Sequence, residues 1–157
     1  MKTVTETKKK LPAAENRKAK FDVSIEQTFE AGIVLTGDEV KSVRANRMQL
    51  LGSYVKLMRG KKTKEELPEA VVVGLHLSLA NDPERTRKLL LHSKELLEIE
   101  KMLATKGKVA VPLDLHFKRG WAKLSIGVGT GRKNYDKREL LKGRDLDRQQ
   151  QAYLKRH

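Results

Sequence analysis

The sequence predicts a mainly β fold with inserted helices, arranged as a small antiparallel β-barrel that is followed by a basic, flexible C-terminal tail. Several short segments alternate apolar and polar residues with a period of two, which is typical of strands with one buried face. Glycine, proline and polar residues separate these segments, and helical spacing interrupts them at two places. The 157 residues suffice for one modest hydrophobic core.

The first predicted strand is followed by a short capped helix. Residues 21–29 (FDVSIEQTF) alternate apolar and polar side chains, which predicts a strand. Thr36 and Glu39 have the T-x-x-E spacing of a capping box, in which each side chain accepts a hydrogen bond from the other residue's backbone N–H. We therefore expect a helix over residues 37–45.

Two further strands, over residues 53–58 and 70–79, form a candidate antiparallel pair because a long polar loop, residues 59–69, connects them. A second helix is predicted over residues 92–106. There the apolar stripe follows helical spacing and a glycine supplies a stop signal, the residues being Leu96, Ile99, Leu103 and Gly107.

The clearest hairpin joins strands over residues 109–117 and 121–129 through a three-residue loop, residues 118–120, that includes Gly120. Five or six short strands with inserted helices are typical of an oligonucleotide-binding-type barrel. After the hairpin, Gly127, Gly129 and Gly131 lack the pattern of a phosphate-binding loop. We interpret them as a flexible link between the barrel and the tail.

The charge distribution divides the chain into three regions. The net charge is +14, to which residues 1–14 contribute +3, residues 15–130 contribute +6 and residues 131–157 contribute +5. We expect a basic, disordered N-terminal arm, an RNA-binding barrel domain and a basic tail over these three regions. Because positive charge is densest at the two ends, a polyanion is the expected partner, although lysine and arginine also serve simply to keep a small domain in solution.

Composition excludes several classes of function. The chain has no cysteine and its four histidines are far apart in the sequence, so we expect neither a zinc site nor any other metal or cofactor. No grouping of a nucleophile, a base and a carboxylate is visible, which argues against an enzyme. The apolar runs are too short to span a membrane, and no membrane partner is expected. These features favour a monomeric, soluble, cytoplasmic protein.

One charged segment allows two interpretations. In residues 82–91 (DPERTRKLLL), the aspartate and proline could begin a helical turn, which would be a purely structural role. Alternatively, an exposed leucine among arginines and lysines could pack against a nucleobase while the cations hold phosphates. The sequence pattern does not choose between them.

Four stretches in the same order resemble one family. They are residues 16–20 (NRKAK), residues 25–44 (IEQTFEAGIVLTGDEVKSVR), residues 82–92 (DPERTRKLLLH) and residues 131–138 (GRKNYDKR). Together they are similar to the SsrA-binding protein family, also called small protein B. The resemblance covers about residues 15–140, and four ordered motifs are more specific than any one of them.

The resemblance implies a non-enzymatic barrel that binds the tRNA-like domain of transfer-messenger RNA (tmRNA) and enters stalled bacterial ribosomes with it, a process called trans-translation or ribosome rescue. It also implies that the tail becomes helical in the empty mRNA channel, against small-subunit rRNA. The RNA-binding residues that it implies are Asn16, Arg17, Lys18, Glu30, Lys88, Leu90, His92, Gly131 and Lys133. Asp136, Lys137 and Arg138 are implied to contact the ribosome.

The alternative is a basic barrel, like a translation factor, that binds rRNA generally. Two departures from the family pattern concern loops: residues 59–69 form a longer connection than the family's usual turn, and residues 79–82 a shorter one. RNA contacts made by these two loops would differ from the family's.

Overall fold

Antiparallel strands make up most of the structure, a computed structural model that describes residues 14–59 and 66–156. The predicted N-terminal arm therefore lies outside the described residues except for Ala14, as does most of the predicted 59–69 loop. The strands are β1 (Ala14–Glu15), β2 (Val23–Ile33), β3 (Met48–Gln49), β4 (Tyr54–Met58), β5 (Glu69–Val73), β6 (His76–Leu77), β7 (Arg87–Leu90), β8 (Lys108–Lys118) and β9 (Trp121–Gly131). The helices are α1 (Arg17–Asp22), α2 (Gly37–Arg44), α3 (Ser93–Leu103) and α4 (Asn134–Arg156).

Seven strands form one antiparallel sheet in the order β1-β8-β9-β2-β7-β5-β4, and β3 pairs with β6 in a small second sheet. The sheet curls, because β4 at one edge packs beside β8 near the other. Among the described residues no strand pairing joins β4 to β8 or β1. The predicted mainly β class with inserted helices is confirmed. The sheet is barrel-like but not closed, since β4 and β8 lie side by side without a ladder between them.

Aliphatic side chains fill the interior, as the composition predicts, and Phe29 is the one aromatic residue among the buried apolar residues of the described chain. Ile99 of α3 is fully buried, and Leu96 and Leu103 pack partly buried beside it, which confirms the predicted stripe. The helix itself is shorter than predicted, since it ends at Leu103 and the chain turns at Gly107 with a φ of 86°.

The capping box of α2 is present. Thr36 Oγ1 accepts a hydrogen bond from the N–H of Glu39 at 3.4 Å, and Glu39 Oε1 accepts one from the N–H of Thr36 at 3.2 Å. The predicted helix is confirmed to within one residue. Its buried face includes Val43, which is fully inaccessible to solvent.

Two predicted strands differ from those observed, and one observed strand lies where none was predicted. The segment predicted as a strand from residue 21 begins as α1, because Asn16 caps that helix, and the strand starts only at Val23. The strand predicted over residues 70–79 ends at Val73, since Gly74 has a φ of 80° that turns the chain into β6. Residues 87–90, which the sequence left unassigned, form β7 between β2 and β5.

The β8–β9 hairpin is confirmed, but its loop has two residues instead of three. Lys118 pairs with Trp121, and Arg119 and Gly120 between them have φ values of 51° and 80°. Two consecutive positive φ values are the geometry of a type I′ turn, which matches the twist of the flanking strands.

The interpretation of three glycines as a flexible link is wrong, because β9 continues through Gly131. A Cβ atom on Gly129 would lie 1.9 Å from the carbonyl oxygen of Ser24, and one on Gly127 would lie 2.7 Å from Ile25 Cδ1. Gly129 therefore lets the backbone of β2 approach β9 closely, whereas Gly127 leaves room for the side chains of Ile25 and Leu113. Beyond these glycines, the region predicted as a tail contains the 23-residue helix α4.

Candidate nucleic-acid interface

The outer face of the sheet presents a row of four residues on adjacent strands. His116 of β8 lies opposite Lys123 of β9, Lys123 lies opposite Gly32 of β2, and Gly32 lies opposite Leu90 of β7. Gly32 has no side chain to fill its place in the row, so a depression forms there. Leu90 borders it closely, since a Cβ atom on Gly32 would lie 3.3 Å from Leu90 Cβ.

A cavity of about 700 Å³ opens at this depression. It brings together three of the predicted RNA-binding residues, Glu30, Leu90 and His92. The structure adds three residues that the sequence patterns did not identify: Phe117, Trp121 and Lys123. Their signal was the alternation of β8 and β9, which becomes readable only once the register of the hairpin is known.

A lysine and a histidine flank the carboxylate of Glu30. Lys118 Nζ lies 3.5 Å from Glu30 Oε1, and His116 Nε2 lies 3.8 Å from Glu30 Oε2. The other ring nitrogen of His116 is 2.7 Å from Asp114 Oδ1, which also accepts a hydrogen bond from Ser125 Oγ at 3.0 Å. Glu30 is 40% exposed, so it can accept hydrogen bonds from a ligand while its neighbours offset its charge.

The apolar part of the cavity is unusually exposed. Leu90 is 55% exposed and Trp121 is 74% exposed. At the other end, the guanidinium of Arg44 lies 5.9 Å from the centre of the Phe117 ring, a cation–π contact. The cavity therefore offers apolar surface, the carboxylates of Glu30 and Glu95 and the cation of Lys123 in one place.

Strand β7 explains why two adjacent cations have different roles. Lys88 points outward, is 52% exposed and lies 3.5 Å from Glu69 Oε1. Arg87 points inward, is completely buried and donates to Glu39 and to the carbonyl oxygen of Leu75. Both interpretations of residues 82–91 find a counterpart in the structure. A turn begins at Asp82, whose carbonyl oxygen accepts a hydrogen bond from the N–H of Arg85 at 3.3 Å, and Lys88 and Leu90 of the following strand face solvent.

Glu39 is a buried carboxylate held between two arginines. Burial by itself raises its pKa, but hydrogen bonds from Arg87 and Arg85, together with the one from the Thr36 N–H, lower the pKa to about 2. Arg85 Nη2 lies 2.6 Å from Glu39 Oε1. This ionised cluster anchors α2 to β7 from the interior side.

Asn16 is buried and its side chain is occupied by the fold. Its amide group donates to the carbonyl oxygens of Leu50 at 3.2 Å and Pro112 at 3.0 Å, and its Oδ1 accepts from the N–H of Ala19 at 3.1 Å. Asn16 is 5% exposed, and its amide joins α1 to β8 and to the segment between β3 and β4. The RNA contact that the resemblance implies for Asn16 stays a prediction.

Arg17 and Lys18 project from α1 into solvent, as a phosphate contact requires. The side chain of Arg17 is 89% exposed, and its Nε lies 4.0 Å from a carboxylate oxygen of Glu15. Lys18 is exposed beside a small cavity that also includes Asn16 and Asp22.

The segment that follows β9 contacts the end of α1. The N–H of Arg132 donates to the Asp22 carbonyl oxygen at 2.7 Å, and Lys137 Nζ lies 3.2 Å from Asp22 Oδ1. Further along α4, the Arg144 guanidinium lies 5.5 Å from the centre of the Phe21 ring. Of the residues that the resemblance assigns to the ribosome, Lys137 therefore contacts the body of the protein, whereas Asp136 and Arg138 are exposed, as are Gly131 and Lys133.

Two kinds of site were sought in residues 14–59 and 66–156. No group of three or more His, Asp or Glu side chains there has a geometry suited to a metal ion. None of the helices described combines the length and the apolar character that crossing a membrane requires.

Comparison with known proteins identifies the family. The family model "SmpB protein" matches residues 13–156. An SsrA-binding protein of Alkalilimnicola ehrlichii is 47% identical, with 94% of each chain covered, and one of Lactobacillus acidophilus is 43% identical, covering 87% of this chain and 89% of that one. A chain in a solved structure described as "tmRNA-SmpB: a journey to the center of the bacterial ribosome" superposes with a TM-score of 0.61 and 37% identity, over 79% of this chain and 87% of that chain. The sequence motifs, the antiparallel fold and these matches agree, and the chain belongs to the SmpB family.

Proposed function

We propose that this protein binds the tRNA-like domain of tmRNA and acts with it on stalled bacterial ribosomes in trans-translation. The observation that carries the proposal is the cavity in which Glu30, Leu90 and His92 meet beside Lys123. The names of its relatives, SsrA-binding protein and tmRNA-SmpB, support the choice of RNA.

The chemistry of the cavity suits folded RNA. Phosphates repel a carboxylate, so the role of Glu30 is to accept hydrogen bonds from a base or a ribose hydroxyl. Leu90 provides an apolar surface against a base. Lys88 and the exposed Arg17 and Lys18 hold phosphates, which supplies affinity that falls as salt increases.

The protein acts by binding and not by catalysis. Recognition of one RNA shape needs only complementary charge, acceptors and apolar surface, all of which the cavity provides. We place this activity in the cytoplasm, where ribosomes translate, and assign it to the monomer. The basic segment after Lys133 would then contact small-subunit rRNA in the mRNA channel, through Asp136, Lys137 and Arg138.

Competition binding tests the choice of RNA. Unlabelled tRNA-like domain should displace labelled tRNA-like domain from the protein far more effectively than unlabelled rRNA fragments or a generic RNA duplex do. Equal competition by all three would favour the alternative, a barrel that binds rRNA generally.

Two variants test the roles within the site. Glu30→Ala should weaken binding with little change in the slope of log K against log salt, whereas Lys88→Ala should reduce that slope by up to about one unit. Glu26→Ala on the same strand and Lys56→Ala on β4 are matched controls, since both side chains are exposed away from the cavity. Normal binding by Glu30→Ala would contradict the role given to this carboxylate.

A further inference from the structure

A large indole stands exposed beside the proposed RNA site. Trp121 is 74% exposed, more than any other apolar or aromatic side chain in the described residues. An exposed tryptophan is costly to solvate and is the side chain with the largest aromatic face, so its position at the edge of a cavity points to a partner that covers it.

The hairpin holds Trp121 in place. It is the first residue after the two-residue turn, paired with Lys118, and the two positive φ values at Arg119 and Gly120 define that turn tightly. Because the backbone on both sides is fixed by the ladder, little order has to be gained when a ligand stacks on the ring.

The indole lines two adjoining cavities. Trp121 lines the 700 Å³ cavity together with Leu90, and it lines a second cavity of about 380 Å³ with Lys118 and Arg119. Glu30 and Lys123 line both cavities, so apolar surface, a hydrogen-bond acceptor and three cations all lie near the ring.

We propose that Trp121 stacks on an unpaired base of the bound RNA, with Glu30 accepting a hydrogen bond from that nucleotide and the cations of the hairpin holding its phosphate. This inference rests on the proposed function, because it specifies how the same site reads RNA. Stacking requires an unpaired base, since paired bases in an A-form helix do not expose their faces.

The chain contains one tryptophan, so its fluorescence reports on this position alone. Titration of the full-length protein with the tRNA-like domain of tmRNA should quench the emission at saturation, because stacking on a base provides a path for quenching. An RNA duplex without unpaired bases should bind weakly and leave the emission of the bound protein nearly unchanged.

Affinity provides the second measurement. Trp121→Ala should weaken binding of labelled tRNA-like RNA by about 5-fold to 150-fold, the range that base stacking on an aromatic ring produces. Trp121→Phe should recover most of the loss, and the salt slope should stay the same in both variants because no charge is removed. Tyr54→Ala is the matched control, since Tyr54 is an aromatic residue on β4 with 47% exposure.

The outcomes separate this inference from the proposed function. Selective binding of the tRNA-like domain with normal affinity in Trp121→Ala would overturn the stacking role and leave the proposed function standing, even if some quenching occurred. Equal quenching by the fully paired duplex would also overturn it. Failure of the wild-type protein to prefer the tRNA-like domain would instead overturn the proposed function.

Discussion

Arg87 donates a hydrogen bond to Glu39 in the interior of the protein, on the opposite face of β7 from Lys88 and Leu90. Arg87 is fully buried and the Glu39 side chain is 2% exposed, so neither charge is compensated by water. The geometry of the outer side of β7, which carries the proposed RNA-binding residues Lys88 and Leu90, therefore depends on a charge pair in the interior.

Replacing Glu39 by Gln should destabilise the fold by about 3–5 kcal/mol, because one buried partner is removed and Arg87 keeps an uncompensated charge. Urea unfolding at pH 7 measures this loss. Glu69→Gln, which breaks the exposed pair with Lys88, should change stability by no more than about 0.5 kcal/mol. A loss below about 1 kcal/mol in Glu39→Gln would contradict the importance of the buried pair.

Stability should fall in acid because of the same carboxylate. The pKa of Glu39 is about 2 in the folded protein, against an ordinary value of 4.5, so the unfolded chain takes up the proton first as the pH falls. The stabilisation is complete above the ordinary value and is lost progressively towards pH 2, with a size on the order of 3 kcal/mol.

Urea midpoints measured between pH 7 and pH 3 check this expectation. The Glu39→Gln variant should lose less stability over that range than the wild type. A smaller decline remains in both proteins, since hydrogen bonds from Lys20 and Lys108 lower the pKa values of the exposed Glu15 and Glu26. Parallel declines in the two proteins would show that Glu39 does not titrate as described.

Local signals explain which parts of the fold could be predicted. The capping box of α2 and the Gly-containing turn of the β8–β9 hairpin act over a few residues, and both were predicted to within one or two residues. The role of Asn16 could not be predicted, because its acceptors, Leu50 and Pro112, lie 34 and 96 residues away. No local pattern encodes such a contact.

In the candidate site, too, some residues could be predicted from local motifs and others could not. Glu30, Leu90 and His92 came from motifs, and the structure brings them to one cavity. Trp121 was missed because the sequence does not fix the register of the hairpin, and a slip of one residue moves every side chain to the other face of the sheet. The alternation of β7, which buries Arg87 and exposes Lys88, could not be predicted either, because it depends on the pairing of β7 with β2 and β5.

Asn16→Ala should destabilise the fold by about 2–3 kcal/mol, because the carbonyl groups of Leu50 and Pro112 lose a buried donor and α1 loses its cap. At temperatures where the variant is folded, RNA affinity and its salt slope should be close to those of the wild type. Arg17→Ala should show the reverse, with unchanged stability and a smaller salt slope. A loss of RNA affinity in a fully stable Asn16→Ala protein would instead indicate that Asn16 contacts the RNA directly.

The glycines of β9 should respond differently to the same substitution. Gly129→Ala should cost about 3 kcal/mol or more, since the new methyl group would lie 1.9 Å from the Ser24 carbonyl oxygen and would force β2 away from β9. Gly131→Ala should change stability by no more than about 0.5 kcal/mol, because nothing lies within 4 Å of its added Cβ. Thermal unfolding compares the two, and equal effects would contradict the close approach of the strands.

Truncation after Lys133 should separate RNA binding from action on the ribosome. The cut retains Gly131 in β9 and the hydrogen bond from Arg132 to Asp22, so the barrel should unfold at nearly the same urea concentration as the full chain. The affinity for the tRNA-like domain should fall only because positive charge is lost, and the difference from the full chain should shrink at high salt. Rescue of ribosomes stalled on a truncated mRNA should be abolished, because the segment proposed to enter the mRNA channel is gone.

A cut after Gly129 is the informative comparison, since it removes the end of β9 and should destabilise the barrel as well. Full rescue by the protein cut after Lys133 would contradict the role proposed for the tail.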